Sequence, residues 1–160
     1  MLVPFEEMSG NSRVWVYQAD RKLTEAEESV IVDKMSQFME QWAAHGKSLK
    51  CALNVFHNQF LVISADESYQ NATGCSIDSM VHFVQGLESE IGLNFFDRTK
   101  VAFLLNNEVY LESLGNIKQK VEEGLIGEQT LTFNNLVANL DEFDKDWLAP
   151  AKNTWLSRYF

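Results

Sequence analysis

The stretch that decides the fold is Phe60-Leu-Val-Ile-Ser-Ala-Asp-Glu-Ser-Tyr-Gln-Asn-Ala-Thr-Gly-Cys-Ser-Ile-Asp78. Its first six residues form a short apolar run, which is typical of a buried strand. After the run, apolar residues recur at helical spacing, at Ile77, Met80, Val81, Val84, Leu87 and Ile91. A polar loop therefore joins a strand to a helix, and we expect this helix to begin at Gly74-Cys75-Ser76.

The start of this predicted helix is the part of the chain best suited to bind an anion. Free backbone N–H groups and the positive end of the helix dipole meet there. The predicted ligand-binding residues are Gly74, Cys75, Ser76, Asp78 and Asp66. Ser76 and Asp78 are also residue types that commonly cap helices. The charge of Asp78 would compete with a bound anion for the helix dipole.

Two elements precede the deciding stretch. Arg13–Gln18 alternates as a strand does, with Val14 and Val16 on one face and two aromatic residues on the other. If both faces are covered, this strand is central. Thr24 and Glu27 match a capping box, which predicts a long helix that ends at His45-Gly46. Its expected core face consists of Ile31, Met35, Phe38, Met39 and Trp42.

The order of elements predicts an α+β fold. Cys51–Phe56 and Phe60–Ala65 form a hairpin, and Lys100–Leu105 and Glu108–Leu111 are further strands. Strand–helix–strand–strand–helix–strand is the order of a ferredoxin-like βαββαβ sandwich, an antiparallel sheet with helices on one face. We expect this core at residues 13–112.

Residues 113–160 are expected to form a C-terminal β/α extension that packs on the core. Thr130–Phe133 is a possible edge strand within it. The aromatic tail Trp155–Phe160 would be adhesive if it were exposed, so it is expected to pack on the domain or on a second subunit. A homodimer through this tail is therefore one predicted partnership.

Length and composition limit the class of protein. A chain of 160 residues with 46% hydrophobic residues is expected to form one domain, residues 1–160. Its net charge of −10 disfavours binding to nucleic acid and to anionic membranes. No apolar run of membrane-spanning length occurs, and a signal peptide is not expected. Two cysteines are too few for a secreted disulfide scaffold, so the cytoplasm is the predicted location.

Cys75 is the strongest catalytic candidate, because a thiol at a helix N-terminus ionises more readily and the thiolate is the nucleophile. His45 is the candidate base. His82 lies about 10 Å further along the predicted helix, which is too far for a direct hydrogen bond to Cys75.

Asp66 and Glu67 could hold a divalent metal together with Asp78, but a solvated turn is the simpler interpretation. Cysteine and histidine spacing does not fit a zinc site, and we predict no metal and no cofactor.

Several stretches together resemble a family of short, uncharacterised bacterial proteins that often bear the label "ABC transporter ATPase". They are Met1-Leu-Val-Pro-Phe-Glu-Glu-Met8, Trp42-Ala-Ala-His-Gly-Lys47, Gly74-Cys-Ser-Ile-Asp-Ser79, Phe133-Asn-Asn-Leu-Val137 and Pro150-Ala-Lys152 with Trp155. The resemblance implies a stand-alone cytoplasmic protein and no known mechanism. Gly46-Lys47-Ser48 is not a Walker A loop, because Gln41 stands where the first glycine is required.

Three functions remain open at this point. The first is non-enzymatic binding of a small anionic ligand or a protein partner at the loop that enters the second helix. The second is a thiol-dependent enzyme or redox protein that uses Cys75. The third is a homo-oligomeric scaffold protein. An ATPase is not expected.

Overall fold

The computed structural model describes residues 1–160. Nine strands are present: β1 Arg13–Gln18, β2 Ala43–Ala44, β3 Lys47–Ser48, β4 Lys50–Phe56, β5 Phe60–Asp66, β6 Lys100–Leu105, β7 Glu108–Ser113, β8 Leu131–Phe133 and β9 Leu148–Pro150. Four α-helices are present: α1 Glu25–Glu40, α2 Gly74–Ile91, α3 Ile117–Glu122 and α4 Leu140–Asp146. Short 3-10 turns follow β7 and β9. The protein is thus α+β with antiparallel sheets, as predicted.

The first sheet has the strand order β1-β5-β4, and both neighbouring pairs are antiparallel. All seven residues of β5 are buried, which agrees with the apolar run in its sequence. Leu61 and Ile63 point to the side covered by the helices, whereas Phe60 and Val62 point to the opposite side. The central strand is therefore β5, and β1 lies at the edge although both of its faces are covered.

Lys100–Leu105, predicted as the fourth strand of the first sheet, lies in a second sheet of order β7-β6-β8-β9. The ferredoxin-like arrangement is therefore not confirmed. The edge of β1 that a fourth strand would need is occupied by residues 138–140. There Val14 N–H donates to the Ala138 carbonyl at 3.0 Å, and Leu140 N–H donates to the Ser12 carbonyl at 3.0 Å.

Three apolar clusters hold these layers together. The largest joins α1 and α2 to one face of the first sheet, through residues that include Ile31, Met35 and Met80. The second fills the space between the two sheets, where Phe60 and Val62 meet Ala102 and other side chains of the second sheet and α4. The third lies on the far face of the second sheet, under α3 and the C-terminal residues. Burial of both faces of β5 thus explains why a second sheet is needed.

The predicted capping box of α1 is confirmed. Glu27 N–H donates to Thr24 Oγ1 at 3.1 Å, and Thr24 N–H donates to Glu27 Oε1 at 2.9 Å. The predicted end of the helix at His45-Gly46 was wrong, because α1 ends at Glu40. His45 and Gly46 have φ angles of 51° and 74° and instead form the turn between β2 and β3.

The C-terminal residues are part of the sheet framework. Leu131–Phe133 is an interior strand between β6 and β9, so its prediction as an edge strand was wrong. The aromatic tail packs on the third cluster through Leu156, which is buried, and through Tyr159. Trp155 and Phe160 stay partly exposed, so a homodimer through this tail remains a prediction. None of the helices combines the length and apolar character that a membrane crossing requires.

The carboxyl group of Glu27 is expected to titrate near pH 2. Hydrogen bonds from Arg21, at 2.8 and 2.7 Å, and from the Thr24 backbone lower its pKa from 4.5 to about 2. Because the pKa is lower in the folded state, the stability this group adds is present above its unfolded pKa. That stability is lost as the pH falls towards about 2.

Carbon-detected NMR of the Glu27 carboxyl group measures this midpoint directly. Arg21→Gln removes the largest cause of the shift, so the midpoint should rise in that variant. A wild-type midpoint near the ordinary value for glutamate would contradict the described contacts.

Candidate functional site

The loop between β5 and α2 is closed by its two acidic residues. Asp66 Oδ1 accepts a hydrogen bond from Ser68 N–H at 2.9 Å, and Glu67 Oε2 accepts one from Ala72 N–H at 2.8 Å. Hydrogen bonding from the hydroxyl and backbone of Ser68, with the charge of Lys50, holds the pKa of Asp66 below its usual range. This closure presents Tyr69 to solvent, with 92% of its surface exposed.

One residue of β1, Arg13, contacts this loop. The Arg13 guanidinium lies 4.9 Å from the centre of the Trp15 ring, and its Nη1 is 3.9 Å from Glu67 Oε1. Trp15 in turn packs edge-on against Trp42, with ring centres 5.9 Å apart. Arg13 is therefore held beside the loop that exposes Tyr69, and Trp15 packs on Arg13.

The start of α2 is built as a capping box. Thr73 is the N-cap; Ser76 N–H donates to Thr73 Oγ1 at 3.1 Å, and Thr73 N–H donates to Ser76 Oγ at 2.7 Å. Ser76 is only 4% exposed, and its carbonyl accepts a hydrogen bond from Trp42 Nε1 at 2.8 Å. Ser76 therefore has a structural role that accounts for its position. Gly74 and Cys75 are exposed in the first turn of the helix. That turn is closed by a hydrogen bond from Ile77 N–H to the Thr73 carbonyl.

The catalytic candidates occupy separate elements. Cys75 is a free, exposed thiol in the first turn of α2, and His45 lies in the turn between β2 and β3. The thiol hydrogen bond of the protein is made by Cys51, whose single S–H lies within reach of the carbonyls of Met1 and Met39, at 3.7 and 3.5 Å from Sγ. No hydrogen-bonded nucleophile–base pair is therefore formed by Cys75 and His45.

Two of the three carboxylates that the sequence suggested as metal ligands face basic side chains instead. Asp66 faces Lys50, with Oδ2 and Nζ 3.9 Å apart, and Glu67 faces Arg13. Asp78 is exposed on the first turns of α2. The structure contains no group of three or more histidine, cysteine, aspartate or glutamate side chains placed to hold a metal ion.

Two clefts lie away from the predicted site. One, of about 530 Å³, runs between α4 and the edge strand β9, and exposed Leu136 lies at its rim. The other, of about 420 Å³, lies where residues 21–22 meet the β4–β5 and β6–β7 turns. Neither is lined by residues of the loop before α2. The first cleft is lined within residues 134–153, which are close in the chain. The walls of the second come from three segments that are distant in the chain, so sequence reasoning could not find it.

The sequence did not identify Tyr69 and Arg13, two exposed residues beside the predicted site. Tyr69 lies inside the deciding stretch, and Arg13 begins the first strand, but nothing in their spacing links them. The signal that could have drawn attention to Tyr69 is an aromatic residue within an otherwise polar loop. Comparison with family models, with curated proteins and with solved structures finds no match to this chain.

Proposed function

We propose that this protein is a non-enzymatic binding module that docks a partner protein through the Tyr69 surface, formed by Tyr69, Arg13 and Trp15. The observation on which this rests is the 92% exposure of Tyr69 on a loop that its own hydrogen bonds close. An exposed tyrosine on a loop closed by hydrogen bonds offers a large contact area, and a tyrosine side chain has few rotatable bonds to fix on binding.

The composition of the surface favours a protein over other partners. Tyrosine, tryptophan and arginine are the residues that most often dominate the binding energy of protein interfaces. Arg13 is already oriented by its stacking on Trp15 and its contact with Glu67, so less ordering remains to be done when a partner binds. These features support a preorganised docking surface.

A small anionic ligand at the start of α2 is supported less well. Small-molecule sites are usually concave, whereas neither of the two clefts includes this loop. The capping box also satisfies the N–H groups of Thr73 and Ser76 from within the protein. The proposal includes a cytoplasmic location, which is supported by two cysteines that are both free.

Tyr69→Ala is expected to weaken partner binding by at least about 30-fold, since truncation of a tyrosine hot spot costs about 2 kcal/mol or more. The partner retained by the wild-type protein from cells that make it is purified, and its affinity is measured by calorimetry. Phe160→Ala, which removes an aromatic residue exposed elsewhere, is the matched control and should bind normally. Equal affinities of the wild type and Tyr69→Ala would refute the proposal.

A further inference from the structure

The cleft between the hairpin turns, called here the turn cleft, is lined by residues 21–22, 57–59, 107–109 and 111. Backbone contacts fix two of these segments to each other: Ala19 N–H donates to the Gln59 carbonyl and Leu23 N–H to the Asn58 carbonyl, both at 2.8 Å. The half-buried side chains of Val109 and Leu111 also contribute to its lining. Its volume of about 420 Å³ is within the range of small-molecule sites.

Two basic residues, Arg21 and Lys22, line the turn cleft beside one acidic residue, Glu108, on a protein of net charge −10. The imidazole ring of His57 also lines the turn cleft. Arg21 is bound by both oxygens of Glu27, so its charge is largely compensated. Lys22 and His57 take part in none of the protein's ion pairs. One lysine without an ion-pair partner and one imidazole therefore line the same space.

Polar donors complete the lining. Asn58 and Asn107 are exposed at the two turns that border the turn cleft. The His57 ring packs against Phe133 and Trp147, with ring centres 5.1 and 5.8 Å apart, which fixes its place at the rim. Separate point donors of this kind can reach the several oxygens of a phosphate group, for which lysine is an established point-charge partner.

We propose that the turn cleft binds the phosphate group of a small phosphorylated molecule, with Lys22 as the main charge partner and His57, Asn58 and Asn107 as further donors. This inference is independent of the proposed docking function, because the two surfaces share no residue.

Inorganic phosphate and glycerol 3-phosphate are titrated into the full-length protein at constant ionic strength and followed by amide NMR. The shifts are expected at residues 22, 57–58 and 107, and Lys22→Gln is expected to weaken binding at least tenfold. Lys118→Gln removes an exposed lysine of α3 outside the turn cleft and should leave binding unchanged. His57→Gln provides a second test with a different side chain.

The proposal is overturned if the shifts appear at Gly74 and Cys75, or if Lys22→Gln binds as tightly as the wild type. It is also overturned if acetate binds at the same place with equal affinity, since a phosphate-specific site should prefer phosphate. Unfolding curves of each variant establish that a loss of binding is not a loss of folding.

Discussion

Replacement of Phe60 by alanine is expected to lower the free energy of unfolding by about 3–5 kcal/mol. Phe60 is fully buried in β5 and contacts Phe133 and Trp147, with ring centres 4.5 and 5.1 Å apart. Its removal leaves a cavity where the first sheet meets the second, and the surrounding aromatic side chains cannot fill it completely. A loss of this size is a large part of the stability of an ordinary domain.

Urea unfolding followed by tryptophan fluorescence and circular dichroism measures this loss. Phe60→Leu removes less volume and should cost less than Phe60→Ala, so it provides a value if the alanine variant does not fold. Tyr69→Ala removes an exposed aromatic residue and should change stability by less than about 0.5 kcal/mol. A loss below about 1 kcal/mol for Phe60→Ala would contradict the burial of this face of β5.

A single thiol of the folded protein is expected to react with an alkylating reagent at pH 8, and that thiol is Cys75. Cys75 is exposed, whereas Cys51 is fully buried in β4 and burial raises its pKa to about 11. At pH 8 about one Cys51 side chain in a thousand would be the reactive thiolate, and reagent access is blocked as well. We therefore expect labelling of Cys51 to be at least about 100-fold slower.

Mass spectrometry of the intact protein over time gives both rates. Cys51→Ala should keep the fast reaction, and Cys75→Ser should abolish it until denaturant is added. Two labels at similar rates would contradict the packing of Cys51. Unusually fast labelling of Cys75 near pH 6 would instead favour the thiol-enzyme alternative, since an activated thiol must ionise at low pH.

The local elements were predictable because their signals lie within short stretches of sequence. The hydroxyl at Thr24 and the carboxylate at Glu27 predicted the capping box that is observed. The bounds of β6 were also predicted, at Lys100–Leu105. The end of α1 was missed because His45-Gly46 suits both a helix end and a tight turn, and only the pairing of β2 with β3 distinguishes them.

The arrangement of the sheets was less predictable. The order of strands and helices suggested one sheet, whereas the apolar run Phe60–Ala65 already required cover on both of its faces. Which segment supplies that cover depends on contacts between distant residues, such as Phe60 with Trp147. The candidate site was also predictable only in part. The loop before α2 was found from the sequence, whereas its neighbour Arg13 was found only from the fold.

The most direct test of the proposed docking function is photo-cross-linking from position 69 in cells that make the protein. A photoreactive phenylalanine analogue replaces Tyr69 in one variant and Phe160 in the control. We predict one discrete cross-linked species from position 69, absent from position 160, and weakened when Arg13→Ala is added. No species from position 69, or the same species from both positions, would contradict a docking role for the Tyr69 surface.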